Sequence, residues 1–152
     1  MISYSTIVNN LIESANSLTA VNTVEFGSID KLDANQQNAI YPYVFIRPIT
    51  SAGIRFGQPM IGGRFVNFEM YVMDIPKLTD TDMLDVMSNC EQIGYDIFSK
   101  FYDGEPDYEA TNTLSVQNMI PLFEAFQDRV GGWVFTITIE TDNSGITNCN
   151  RV

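Results

Sequence analysis

The chain has 152 residues, of which 45% are hydrophobic and 18% charged, with 19 acidic residues, eight Lys and Arg, and no histidine. This length and apolar content predict a single folded domain, residues 1–152, and exclude intrinsic disorder. The formal net charge of −11, with its few cations scattered singly, argues against stable binding to DNA or RNA, which requires clustered positive charge.

An amphipathic helix is the first predicted element, over residues 3–20. Its apolar positions recur at spacings of three and four, which places them on one face of the helix: Ile7, Leu11, Ala15 and Leu18. Residues 23–26 then predict a short strand, and residues 30–38 predict a polar loop.

The middle of the chain predicts two strands, 41–49 and 64–73, because both are rich in aromatic and β-branched residues. In the second strand, apolar and polar residues alternate, so that one face is apolar: Val66, Phe68, Met70 and Val72. The glycine-rich segment between them, 50–63, predicts a long hairpin loop. Loops of this length tend to be functional, and this one carries apolar residues that free solvation does not favour: Ile54, Phe56, Met60 and Ile61.

The second predicted helix begins after Thr79, a candidate N-cap, and ends before Gly104. Its apolar residues predict a continuous buried face: Met83, Leu84, Met87, Cys90, Ile93, Ile97, Phe98 and Phe101. On this face Cys90 is interpreted as a core residue. The other cysteine, Cys149, is either an exposed thiol or a packed anchor, and two cysteines so far apart do not make a disulfide framework.

The C-terminal third predicts a hairpin of strands 116–126 and 133–141 around a turn at 128–132, followed by a polar tail, 142–152. Because helices and strands fall into separate blocks, the order of elements predicts an α+β fold. We expect a largely antiparallel sheet covered by two helices, with a long protruding β-hairpin.

Motifs for catalysis or metal binding are missing from the sequence. The absence of histidine excludes Ser-His, Cys-His and zinc-His arrangements. Alternating carboxylates in 103–109 suggest a calcium ion, but Tyr108 stands where an EF-hand loop needs glycine, so a solvated acidic turn is preferred. The acids Asp80, Asp82 and Asp85 fit the positive end of a helix dipole. We predict that the protein is not an enzyme and needs no metal or cofactor.

The order of elements resembles a family of phage proteins over most of the chain. The features are the N-terminal helix, the strand Tyr41-Pro42-Tyr43-Val44-Phe45, the glycine-rich hairpin, and the ending at 129–139 with Asn148-Cys149-Asn150. Together they resemble the tail-terminator and tail-completion proteins of tailed bacteriophages, and the ending is similar to neck and tail proteins of phages that infect Bacteroides-like hosts.

This resemblance implies a head–tail connector that forms a homo-oligomeric ring, sixfold or twelvefold, next to portal, neck or tail proteins. DNA would pass through the ring without specific binding, which suits an acidic wall. The protein would be made in the host bacterial cytoplasm and reside in the virion, with no membrane partner. We expect the hairpin to form the subunit interface through Ile54, Arg55, Phe56, Met60, Ile61 and Arg64.

Two alternatives stay open at this point. The glycine-rich segment can fold back on its own sheet instead of reaching a neighbour. The whole chain can also be a small acidic soluble binding or regulatory domain that acts on a basic protein partner, for which its negative charge is suited.

Overall fold

A computed structural model describes residues 4–35, 39–56, 61–76, 80–103, 113–125 and 130–141; for 33–35, 50–56, 61–64, 80–82, 103, 113, 124–125 and 141 it describes the backbone path. Its elements, in chain order, are α1 (Tyr4–Asn16), β1 (Thr23–Phe26), α2 (Ile29–Asn35), β2 (Tyr43–Phe56), β3 (Ile61–Asp74), α3 (Asp80–Asp103), β4 (Thr113–Ala125) and β5 (Val130–Thr141).

The five strands form one sheet in the order β1-β2-β3-β5-β4. β1 runs parallel to β2, and every other neighbouring pair is antiparallel. β3 and β4 therefore point the same way with β5 between them, and α3 makes the crossover that such a parallel arrangement requires. The predicted α+β fold with a largely antiparallel sheet is confirmed.

One face of the sheet is covered by α1 and α3, which bury its apolar side chains. The alternation predicted for β3 is confirmed, since Val66, Phe68, Met70 and Val72 all lie in this core. The predicted stripe of α1 also points into it, and Phe135 of β5 meets Phe98 of α3 edge-to-face with ring centroids 5.3 Å apart. Two amphipathic helices on one apolar sheet face account for this larger part of the core.

The opposite face has a smaller apolar cluster at one end of the sheet. Its largest members are Tyr43, Phe45 and Tyr71, and Leu32 of α2 covers them. Beyond this cluster, the same face carries half-buried polar side chains such as Asn67 and Thr138. We refer to this surface as the open face.

The structure corrects two loop predictions. Residues 30–38 were expected to form a polar loop, but α2 occupies 29–35, because Leu32 and Ile29 contact the aromatic cluster of the open face. The long loop expected at 50–63 is also wrong in most of its length, since β2 continues to Phe56 and β3 begins at Ile61. Pairing between the two strands outweighs the preference of glycine for turns, with register shifts that absorb the irregular residues.

Other expectations have mixed outcomes. The predicted second helix is confirmed as α3, and Cys90 is fully buried in the core. Leu84, which was assigned to the buried face of this helix, is instead exposed. The candidate cap Thr79, the acidic segment 104–109 and the tail with Cys149 lie outside the described residues.

Candidate interaction surface

The residues predicted for the subunit interface stand at the far end of the β2–β3 pair. Ile54 pairs with Arg64 and Phe56 with Ile61, and a register shift separates these two pairs at Arg55. Met60 lies outside the described residues. The structure therefore brings five of the six predicted positions together on two paired strands, while the protrusion of this hairpin from the sheet stays a prediction.

This far end of the hairpin has a simple charge pattern. Between Thr50 and Arg64 the sequence contains two arginines, Arg55 and Arg64, and no acidic residue. The next cation along β2, Arg47, is already paired, since its Nη1 donates to Oε2 of Glu69 at 3.1 Å. The segment 50–64, which we call the distal hairpin, is thus a basic and apolar segment of a strongly acidic chain.

A second surface emerges from the distribution of exposed apolar side chains. Eight large apolar side chains are exposed among the described residues, and six of them belong to α3 and β4. Ile120 pairs with Val134 and so lies on the open face; we call the other five the edge surface: Leu84, Tyr95, Tyr102, Val116 and Phe123. α3 and β4 contact each other, and several exposed apolar side chains on neighbouring elements are typical of an interaction site, whereas single exposed apolar residues are ordinary.

The α3 part of the edge surface is a single stripe. Leu84, Tyr95 and Tyr102 are separated by eleven and seven residues, which at 3.6 residues per turn places them on nearly the same side of the helix. The stripe borders the side where the carbonyl of Met87 accepts a hydrogen bond from Trp133 Nε1. α3 contacts β4 as well as β5, so the two parts of the edge surface belong to neighbouring elements.

β4 ends the strand order of the sheet, so its outer side is an edge. Two features make this edge a poor template for adding another strand. Pro121 has no N–H to donate, and the N–H of Met119 is bonded to Oδ1 of the neighbouring Asn118 at 3.0 Å. The register of β4 also shifts at two places. A partner on this edge would therefore contact side chains more readily than the backbone.

α3 is a strongly acidic helix. The helix carries six acidic residues and one basic residue, Lys100. One of the acids, Glu91, stands on the stripe itself, where its Oε1 accepts a hydrogen bond of 2.9 Å from the hydroxyl of Tyr95. That hydrogen bond raises the pKa of Tyr95, so its hydroxyl stays protonated well above neutral pH.

The polar residues of the open face pair with one another. Glu69 accepts hydrogen bonds from both Arg47 and the hydroxyl of Tyr71, and Thr138 Oγ1 bonds to Oδ1 of Asn67 across β3 and β5. Burial, and then the charge of Glu69, raise the pKa of Tyr71. These groups satisfy each other, so the open face offers a less distinct binding site than the edge surface.

The described residues bear on metal binding and on the chemistry of the buried thiol of Cys90. No group of three or more histidine, cysteine, aspartate or glutamate side chains is placed to hold a metal ion within the ranges that the structure describes. Burial, with a smaller contribution from Asp74, raises the pKa of Cys90 to about 12, which keeps its thiol protonated and unreactive. Among the described helices, none is long and apolar enough to span a membrane.

Comparisons with known proteins add no relative. No family model matches the chain, and a search of curated proteins finds no match either.

Sequence reasoning missed the edge surface, although part of its signal was present. Leu84 was assigned to the buried side of α3, but it lies about 100° around the helix from the position midway between Cys90 and Phe101. The stripe that Leu84 shares with Tyr95 and Tyr102 is thus recognisable from spacing alone. Its exposure is not, because it depends on how α3 is placed over the sheet.

Proposed function

We propose that the protein is a structural subunit of a phage neck or tail, where it forms an oligomeric ring that joins head to tail. The observation that carries this proposal is the edge surface, which holds five of the eight large apolar side chains that are exposed among the described residues. A subunit that worked alone would leave this apolar area in water, whereas assembly removes it from solvent. The resemblance in order of elements to tail-terminator proteins directs the proposal to a phage ring.

The charge of the chain supports the further proposal that DNA passes through this ring without being held. A net charge of −11 repels the phosphate backbone at any surface where acidic residues dominate. In this proposal the ring resides in the virion next to portal, neck or tail proteins. Its sixfold or twelvefold symmetry is part of the same proposal.

Native mass spectrometry and negative-stain electron microscopy of the purified chain test the proposal. Over a concentration series from low micromolar to millimolar, we expect closed rings of one defined subunit number. A gel-shift assay of the same material with double-stranded DNA is expected to give no stable complex.

A chain that stays monomeric over the whole series would contradict the ring. Such a result, together with tight binding to a basic protein, would favour the alternative of a small acidic binding or regulatory domain. Open filaments would keep the structural class but would remove the closed ring.

A further inference from the structure

We infer that α3 of one copy packs antiparallel against α3 of a second copy, across a two-fold axis that passes close to residue 93. Each copy contributes the stripe of α3 and the part of β4 beside it. This inference goes beyond the proposed function, because a two-fold contact closes at two copies and a ring needs a further, different contact.

The stripe lies on the side of α3 that points away from α1. α1 contacts β1 and α3, whereas α3 also contacts β5 and β4, so α1 and β4 lie on opposite sides of α3. Ile93, about 180° around the helix from Leu84, is buried in the core that α1 and α3 share, while Leu84 is 64% exposed. The stripe therefore stands above β4, the edge strand of the sheet.

β4 carries apolar side chains beside the stripe. Val116 and Met119 pair with Ile137 and Phe135, so they point to the sheet face that α1 and α3 cover. Met119 is half-buried against the core, but Val116 remains exposed. Residues 113–123 of the strand include no charged residue. The margin of the covered face is thus an uncharged apolar ledge next to α3.

A helix fits this ledge, and α3 of a second copy is the helix that the chain offers. A helix placed above β4 and beside α3 would extend the existing layer of helices, which pack with axes about 8–10 Å apart. Large exposed apolar side chains occur on α3 but not on α1 or α2, among the side chains that the structure describes. The stripe and the ledge can therefore cover each other when two copies meet.

The placement of charge favours a second copy over a basic protein. Asp85 and Asp96 lie about 100° and 120° around the helix from Leu84, which leaves Glu91 as the acid on the stripe. Copies with a net charge of −11 each repel one another least where acids are few, whereas a basic partner would gain most from the acidic sides of α3.

The spacing of residues along the stripe is the same in both directions. The stripe has intervals of seven, four and seven residues between Leu84, Glu91, Tyr95 and Tyr102. An antiparallel copy related by an axis near residue 93 meets the same intervals, with Leu84 opposite Tyr102 and Glu91 opposite Tyr95. The hydroxyl of Tyr95, which donates to Glu91 Oε1 at 2.9 Å within one copy, would then also stand beside the Glu91 carboxylate of the other.

Charges introduced on the stripe provide the first test. Leu84→Glu/Tyr102→Glu places carboxylates at both ends of the contact, and we expect the dissociation constant of the dimer to rise at least about tenfold in sedimentation equilibrium. Ile40→Glu is the control, since Ile40 is 68% exposed but lies outside the stripe, and it is expected to leave that constant unchanged. Circular dichroism spectra and melting like those of the natural chain exclude misfolding.

Disulfide cross-linking tests the antiparallel register. Ser88 and Ser99 are exposed beside the stripe, and the two-fold axis brings Ser88 of one copy close to Ser99 of the other. In a Cys149→Ser background with diamide as oxidant, Ser88→Cys/Ser99→Cys is expected to give covalent dimers on non-reducing gels. The control pair Asn89→Cys/Asp96→Cys is equally exposed but lies on another side of the helix, and it is expected to stay uncross-linked.

The outcomes separate this inference from the proposed function. Dimers that cross-link, without rings at any concentration, would support the inference and overturn the ring. Rings in which Ser88→Cys/Ser99→Cys stays uncross-linked, or dimers that Leu84→Glu/Tyr102→Glu leaves intact, would overturn the inference and leave the ring proposal standing. A natural chain that is monomeric over the whole series would overturn both and leave the stripe to a different protein.

Discussion

The two faces of the sheet differ in what covers them and in whether they carry polar side chains. The face under α1 and α3 is continuously apolar, with Phe68, Met70 and Phe135 fully buried. The open face has one compact cluster beneath α2 and, beyond it, polar side chains that pair across strands, such as Arg47 with Glu69. Both faces belong to the same strands, so the alternation of each strand supplies one apolar and one mixed surface.

This difference shows where the stability of the fold resides. Covering an apolar face removes large areas from water, and each buried aromatic side chain contributes a few kcal/mol, on the order of 1.5–3. Exposed or half-buried ion pairs contribute roughly 0–1 kcal/mol. We therefore expect the covered face to determine the free energy of unfolding, and the open face to tolerate substitution.

Truncating the centre of the covered face gives the largest expected effect. Phe135→Ala removes a fully buried ring that packs edge-to-face on Phe98, and it leaves a cavity. We expect the free energy of unfolding to fall by about 3–5 kcal/mol in chemical denaturation. The control is Thr136→Ala, one residue along β5 on the half-buried open face, which we expect to cost less than about 1 kcal/mol. Equal losses would mean that the two faces do not differ as described.

A second test concerns Gly132, which lies near the start of β5, the strand between β3 and β4. Gly132 has a φ of 147°, which L side chains rarely adopt, and a Cβ there would collide with the carbonyl oxygen of Val72. We expect Gly132→Ala to destabilise the fold by about 1–3 kcal/mol from backbone conformation, with displacement of β3 in addition.

The neighbouring glycine provides the comparison for this test. A Cβ on Gly131 would meet side chains of Met83 and Val86 rather than backbone, and Gly131 has no unusual φ. Because a methionine side chain adapts its shape, Gly131→Ala is expected to cost less than Gly132→Ala in the same denaturation experiment. The reverse order would show that packing under α3, and not the backbone of β5, sets the requirement for glycine.

Much of the covered face was predictable from local patterns, and the edge surface was not. The alternation of β3 and the stripe of α1 identified core residues because strand and helix periods are local properties of the chain. The burial of Cys90 followed from the same reasoning. The prediction for Leu84 was wrong because the apolar residues of α3 extend over a wide arc of the helix. The sequence alone does not show which part of this arc the sheet will cover.

The distal hairpin illustrates a different limit. Its glycines and proline indicated a loop at 50–63, but β2 and β3 continue to Phe56 and from Ile61 because each strand satisfies the backbone of the other. Contacts with distant residues also explain α2. Its Leu32 packs in the apolar cluster of the open face, which the polar sequence around Leu32 does not predict. Pairing over long sequence separation overrode local preference in both places.

Measurements at alkaline pH test whether burial, rather than neighbouring charge, is the main cause of the raised pKa values on both faces. Burial raises the pKa of Cys90 to about 12 on the covered face and also raises the pKa of Tyr71 on the other. A group whose folded pKa is raised stabilises the fold fully below its unfolded pKa, and this stability is lost as pH rises through the folded pKa. We expect the free energy of unfolding to fall above about pH 9, where an unfolded cysteine ionises, by about 1.4 kcal/mol per pH unit for this group.

The slope of stability against pH, measured by denaturation under reducing conditions from pH 8 to 11, separates the contributions. Cys90→Ala is expected to flatten the slope between pH 9 and 10, whereas Tyr71→Phe should do so only above about pH 10. Cys149→Ser serves as the control for the other thiol. A slope that Cys90→Ala leaves unchanged would contradict the burial of this thiol as the source of its raised pKa.

The smallest expected effect belongs to the ion pair of the open face. Arg47 and Glu69 lie 3.1 Å apart, but 36% and 25% of their side-chain surface remains exposed, so water and salt screen their attraction. In a double-mutant cycle with Arg47→Met and Glu69→Gln, we expect a coupling energy of about 0.2–1 kcal/mol that shrinks at high salt. A coupling above about 2 kcal/mol would instead place the pair among strongly desolvated interactions. The open face would then stabilise the sheet through its polar groups as the other face does through its helices.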